Sequence, residues 1–145
     1  MLHSLKILID KIRTHKWKRI YLAIDLHGTI LRPNYNPTEI CTEFYDSAIQ
    51  ILQYLTKNNK FCLILWSSTS NELLQQYEEY FNKYDIKFDF INENREIKTQ
   101  EGHYGSYEDK FYFDLLLDDK ANFDPNTWDS MLPIFQRLEE IMDEV

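Results

Sequence analysis

The chain has 145 residues, of which 43% are apolar and 15% aromatic, enough to bury a core in one domain and too apolar for a disordered chain. Its 16 basic and 24 acidic residues leave a formal net charge of −8, which argues against nucleic acid as a partner because an acidic surface repels a polyphosphate backbone. Only three Gly and four Pro are present, which excludes a loop-rich or fibrous protein, and no apolar run approaches the length of a membrane span.

Leu5, Leu8, Ile9 and Ile12 recur at helical spacing with Lys6, Asp10, Lys11 and Arg13 on other faces, so residues 4–16 read as an amphipathic helix. Six basic residues fall between Lys6 and Arg19 against Asp10 alone, a solvated helix face or a local basic patch. A strand follows from about Arg19 to Asp25, an apolar run of strand formers from Ile20 with the composition of a strand buried on both faces, and it ends in a carboxylate. After the loop 30–37, Asn36, Pro37 and Glu39 predict a helix start by cap, first-turn proline and an acid three residues after the cap. Ile40, Phe44, Ala48, Ile51, Leu52 and Leu55 would carry its inner face to about Lys57.

Phe61–Trp66 is the second buried strand, with Ser67-Ser68-Thr69-Ser70 at its carboxyl end. Thr69 and Glu72 have the spacing of a capping box for the next helix, whose inward face is Leu73, Leu74, Tyr77, Phe81 and Tyr84. A short third strand is predicted at Phe88–Asn92. The polar stretch 93–110 holds two of the three glycines and shows no helical period, which marks a functional or mobile loop. Phe113–Asp119 is the fourth strand, and a last helix is predicted from about Ser130 to Met142, with Pro133 in its first turn. Cys41 and Cys62 have no motif spacing and read as free thiols of a reducing compartment. No signal peptide is read, and a soluble, cytoplasmic protein is expected. Strands alternating with helices predict a single α/β domain, residues 1–145, with a parallel sheet and helices on both faces.

Three strands thus end in reactive groups: Asp25 with Gly28 and Thr29 just beyond, Ser67, and the pair Asp118-Asp119. In a parallel sheet all carboxyl ends share one edge, where these groups can converge, and Lys110 must reach that edge through the loop before its strand. Carboxylates collect Mg²⁺ through oxygen ligands, and a metal with Lys110 and Ser67 would screen an incoming phosphate so that Asp25 could attack phosphorus.

Asp25-Leu-His-Gly-Thr29, Ser67, Lys110 and Asp118-Asp119 resemble, in order, the four motifs of the haloacid dehalogenase-like phosphatases, over roughly residues 19–120. The likeness is to the small members without a cap domain. It implies a Rossmann-like sheet in the order 3-2-1-4, Mg²⁺, a phosphorylated substrate and an aspartyl-phosphate intermediate. Carried over, Asp25 would be the nucleophile, and Thr29, Ser67 and Ser68 would contact substrate. Lys110 would stabilise the intermediate, with Lys98 and Lys120 as alternatives. Asp25, Asp118, Asp119 and the backbone carbonyl of His27 would hold the metal. The loops 30–37 and 93–109 are too short for a folded lid; His103, Tyr104 and Tyr107 in the second are candidate substrate contacts.

The sequence departs from the family at His27, where the pattern has a second aspartate that protonates the leaving group and then activates water. An imidazole can do that work, and two nearby acids would favour its protonated form. Two readings follow: a phosphatase with His27 as its acid, or a weakened relative that binds phosphate, metal or a protein partner. A phosphoacceptor receiver domain has the same residue types in a different order, and a nucleotide-binding Rossmann module would need a Gly-rich loop that the first strand lacks.

Overall fold

The computed structural model of the chain describes residues 2–97 and 110–145. Helix α1 (Leu2–His15) precedes strand β1 (Ile20–Asp25), followed by α2 (Ala48–Thr56), β2 (Phe61–Trp66), α3 (Asn71–Asn82), β3 (Phe90–Ile91), β4 (Leu115–Leu117) and α4 (Trp128–Glu144). Single 3-10 turns at Asp119–Ala121 and Pro125–Thr127 link β4 to α4. The strands form one parallel sheet in the order β3-β2-β1-β4, flanked by helices, the Rossmann-like arrangement expected. No helix among the described residues is long and apolar enough to cross a membrane.

The register assigns the two faces of the sheet. Ile20, Leu22 and Ile24 lie beside Phe61, Leu63 and Leu65, and side chains on matched positions of parallel strands share a face. All six belong to the core cluster, together with Leu8 and Ile12 of α1, Ile51 and Leu55 of α2, Tyr77 and Phe81 of α3 and Phe135 and Leu138 of α4. Phe135 meets the Phe61 ring edge-on at 5.6 Å. Each fully buried side chain of this kind contributes about 1.5–3 kcal/mol relative to leaving it exposed.

The opposite face carries Ala23, Cys62 and Ile64, buried but outside that cluster. Among the described residues it lies under extended chain: Tyr112 meets Tyr21 edge-on, Asn94 donates to the Tyr112 carbonyl at 2.9 Å, and Arg19 ion-pairs with Glu96. A helix is expected on each face, yet the described helices join the first. Chain direction explains it: β1-α2-β2 and β2-α3-β3 step the same way across the sheet, so right-handed crossovers place α2 and α3 on one side.

Several predicted boundaries shift. The helix expected from Pro37 begins only at Ala48. Asn36 does accept the Thr38 N–H at 3.0 Å, but the chain then pairs back on itself, with Arg32 N–H donating to the Glu43 carbonyl and Tyr45 N–H to that of Ile30. Phe44 and Cys41 therefore sit in this flap, and Ser47, at φ 67°, ends it. The capping box of Thr69 and Glu72 is not formed; Ser70 is the residue before α3, and Thr69 bonds to Ser67 instead. Helix α4 starts at Trp128, so Pro133 lies in its second turn, one turn further in than expected. Strands β3 and β4 are shorter than the apolar runs that announced them.

Candidate active site

The carboxyl edge of the sheet gathers the residues singled out in the sequence. Asp25 is the last residue of β1 and lies in register with Trp66, the last of β2. Ile24 pairs with Leu117, so Asp118 follows one step beyond the end of β4. A cleft of about 540 Å³ opens there, lined by Asp25, His27, Trp66, Ser67, Ser68, Asn92, Lys110, Phe111, Asp118 and Lys120.

After Asp25 the chain turns sharply: the Leu26 carbonyl accepts N–H groups from Thr29, Ile30 and Leu31, and Gly28 N–H donates to the Leu31 carbonyl at 2.9 Å. Leu26, Ile30 and Leu31 are fully buried and clamp this loop into the core. Gly28 sits at φ +81°, and a Cβ there would lie 2.8 Å from an Asp119 carboxylate oxygen. A side chain is disfavoured both by the left-handed backbone and by the space Asp119 occupies.

Thr29 is fully buried and is not among the residues lining the cleft. Its hydroxyl donates to Asp25 at 3.1 Å and accepts the Asp119 N–H at 3.1 Å. The structure therefore places it beneath the acids, tying the end of β1 to the end of β4, where substrate contact was expected. Its carbonyl accepts the indole N–H of Trp128 at 2.8 Å, which fastens the start of α4 to the same loop. No motif in the sequence singles out Trp128; a tryptophan at the head of a helix reads as core, and the contact spans 99 residues.

Asp25, Asp118 and Asp119 each present a carboxylate oxygen within 4.8 Å of the others. Among the described residues no Lys or Arg forms an ion pair with any of them. Burial, then the charge of Asp118, pushes Asp25 up to about 7, against the hydrogen bond from Thr29. Asp118 is also raised by burial, opposed by the Lys120 N–H its side chain accepts at 2.9 Å. Three hard oxygen donors crowded in this way could hold a divalent cation, since an ion of charge +2 would relieve their mutual repulsion.

The His27 ring lines the cleft but brings no ligand atom to this cluster. Its Nε2 lies 2.9 Å from the Tyr77 hydroxyl, with the two rings edge-on at 5.5 Å. Tyr77 is buried, held neutral by burial that pushes its phenol up to about 12, and it also accepts the Cys41 N–H at 2.8 Å. Burial lowers His27 below its ordinary value, so the protonated form expected from neighbouring acids is not the one favoured.

Ser67 is half-buried; its hydroxyl donates to Thr69 Oγ1 at 2.8 Å and accepts the Thr69 N–H at 3.2 Å. Asn92 was not singled out in the sequence. At φ 54°, its amide accepts the Ser67 N–H and donates to the Ser67 carbonyl, continuing the β2–β3 ladder by one side chain. Ser68 is exposed on the cleft wall. Of the three candidate lysines, Lys110 and Lys120 both line the cleft, and Lys98 lies outside the described residues, as do His103, Tyr104 and Tyr107.

No family model matches the chain. No curated protein matches it. Among solved structures the chain is similar to a conserved protein coded by a locus of Bacteroides thetaiotaomicron, at 28% identity and a TM-score of 0.63, over 82% of this chain and 91% of that one. The two share the Rossmann-like α/β fold.

Proposed function

We propose that the chain is a Mg²⁺-dependent phosphomonoester hydrolase of haloacid dehalogenase-like type, with Asp25 as nucleophile. The observation that carries this reading is the meeting of three carboxylate oxygens within 4.8 Å, two of them from Asp25 and Asp118 in the wall of a cleft also lined by Ser67, Lys110 and Lys120. Acids and ammonium groups on one wall suit a phosphate approached by a carboxylate: the cations draw the phosphoryl oxygens, and the carboxylate reaches phosphorus. Asp25, Asp118 and Asp119 would hold the Mg²⁺, which supplies positive charge against both the acids and the phosphate. An Asp25 oxygen then forms a bond to phosphorus as the ester P–O bond breaks, and the leaving oxygen takes a proton from solvent water, which regains it from the water that attacks in the second step. Water attacks the acyl phosphate in the second step, releasing phosphate and restoring Asp25. Thr29 keeps Asp25 in place by the hydrogen bond it donates from below. Two buried free thiols, Cys41 and Cys62, suit a reducing, cytoplasmic setting.

A second reading is a weakened relative that binds phosphate, metal or a partner, and the observation favouring it is the His27 Nε2 engaged by Tyr77. The test is phosphate release with and without Mg²⁺ for the wild type, Asp25→Asn and His27→Asp. The hydrolase reading expects Mg²⁺-dependent release abolished in Asp25→Asn, and robust turnover by that variant refutes it. The second reading expects His27→Asp to raise turnover by about 10²–10⁴-fold, the usual contribution of a general acid–base group. An unchanged rate in that variant counts against it.

A further inference from the structure

Trp66 ends β2 in an otherwise fully buried strand, yet it is 41% exposed. Its register partner is Asp25, so the indole stands beside the proposed nucleophile on the same face of the sheet, one interstrand spacing of about 4.8 Å away along the backbone. Phe111, also in the lining, packs directly against the indole at 5.3 Å between ring centroids with the planes tilted by 57°, and Phe113 backs Phe111 at 6.0 Å. Each ring directly adjoins a polar residue of the cleft: Trp66 precedes Ser67, and Phe111 follows Lys110.

A pair of rings at this position is not needed by a phosphate group, which wants charge and hydrogen-bond donors. Nor does the core require them, because Trp66 and Phe111 lie outside the main hydrophobic cluster. At about 540 Å³ the cleft is within the ~300–1,000 Å³ range of small-molecule sites and larger than a phosphate group demands. The amide of Asn92, the neighbouring polar side chain of the lining, is committed to the Ser67 backbone.

We propose that Trp66 and Phe111 form a stacking subsite for a planar ring carried on the phosphate-bearing substrate, so that the cleft selects ring-bearing phosphomonoesters over aliphatic ones. This rests on the phosphohydrolase reading of the same cleft. The rings are specificity determinants: they contact the leaving group, while Asp25 meets phosphorus. Both an aryl phosphate and a nucleoside monophosphate carry this chemistry, the ring being attached directly in one and through a sugar in the other.

The experiment uses phosphonates, whose carbon–phosphorus bond is not hydrolysed by this chemistry, titrated calorimetrically into the full chain with Mg²⁺. Phenylphosphonate and the phosphonate isostere of adenosine 5′-monophosphate represent the two sources, and methylphosphonate lacks a ring. At least one ring-bearing compound should bind the wild type tenfold or more tightly than methylphosphonate, and the tighter of the two identifies the source. Stacking on an aromatic side chain contributes enough that Trp66→Ala should cut this preference by about ten- to a hundredfold, while Trp66→Phe retains most of it. In the wild type the ring-bearing ligand should also quench tryptophan fluorescence, and Trp66→Phe should remove the quenching, since Trp17 and Trp128 remain. Equal affinity for ringed and ringless phosphonates, or a preference unaltered in Trp66→Ala, overturns the proposal. Failure of the hydrolase reading shows separately, as turnover surviving Asp25→Asn, because the binding ratios need no turnover.

Discussion

Replacing Gly28 by alanine tests the geometry of the acidic cluster most directly. Two costs arise at once. A residue with a Cβ at φ +81° costs about 1–2 kcal/mol in left-handed backbone strain. The new methyl would also lie 2.8 Å from an Asp119 oxygen and 3.1 Å from its carboxyl carbon, closer than atoms pack, so the Asp119 side chain must swing away. Asp119 is exposed and in moving gives up a long hydrogen bond of 3.4 Å from the Thr29 hydroxyl, so the steric contact adds little to the instability. Its displacement instead removes one of three oxygens from the 4.8 Å cluster. The expected result is a Tm lowered by roughly 2–8 °C and a Mg²⁺ affinity lowered by about tenfold or more. Differential scanning calorimetry measures the first and isothermal titration the second. The double variant Gly28→Ala/Asp119→Ala separates the causes, since it removes the contact and keeps the strain; its Tm should lie close to that of Gly28→Ala. An unchanged Tm and an unchanged Mg²⁺ affinity in Gly28→Ala would refute this account of the loop.

Three other outcomes follow from the site. Without metal, Asp25 is raised to about 7 in the fold against an ordinary value of about 4, so the folded chain holds a proton that the unfolded chain has released between these values. The contribution of Asp25 to metal-free stability should thus be fully present below about pH 4 and be lost as pH rises through about 7, whereas Mg²⁺ affinity should climb over the same window with proton release on binding. Titrations in buffers of different ionisation enthalpy check this, and an affinity flat from pH 5.5 to 8 contradicts it. Thr29→Val takes away the acceptor of the Asp119 N–H and the donor to Asp25, at a cost of about 1–3 kcal/mol in urea denaturation, and Thr29→Ser should restore most of it. Tyr77→Phe strands the Cys41 N–H at a similar cost of about 1–3 kcal/mol and releases His27; a pH–rate profile identical to wild type would show that the imidazole takes no part in turnover.

Ile20–Asp25 and Phe61–Trp66 were legible as buried strands because continuous apolar runs of strand formers leave few alternatives, and Asp25 and Ser67 at their carboxyl ends then fall on one sheet edge. The same logic located Asp118-Asp119 from three preceding leucines. Periodicity failed between Pro37 and Ser47. There a good cap and a plausible apolar stripe were overridden by the pairing of Leu31 with Phe44, a contact 13 residues apart that local spacing does not encode.

The sequence by itself determined the α/β class and the acids at the sheet's edge, because hydrophobic pattern and residue chemistry are local properties. Only the tertiary structure decided what those residues touch. It buried Thr29 beneath Asp25 and Asp119, turned His27 onto Tyr77, and set Trp66 beside Asp25 at the end of the neighbouring strand. Each of these depends on which strands lie side by side and in what register, and long-range pairing of that kind is settled by packing the whole core.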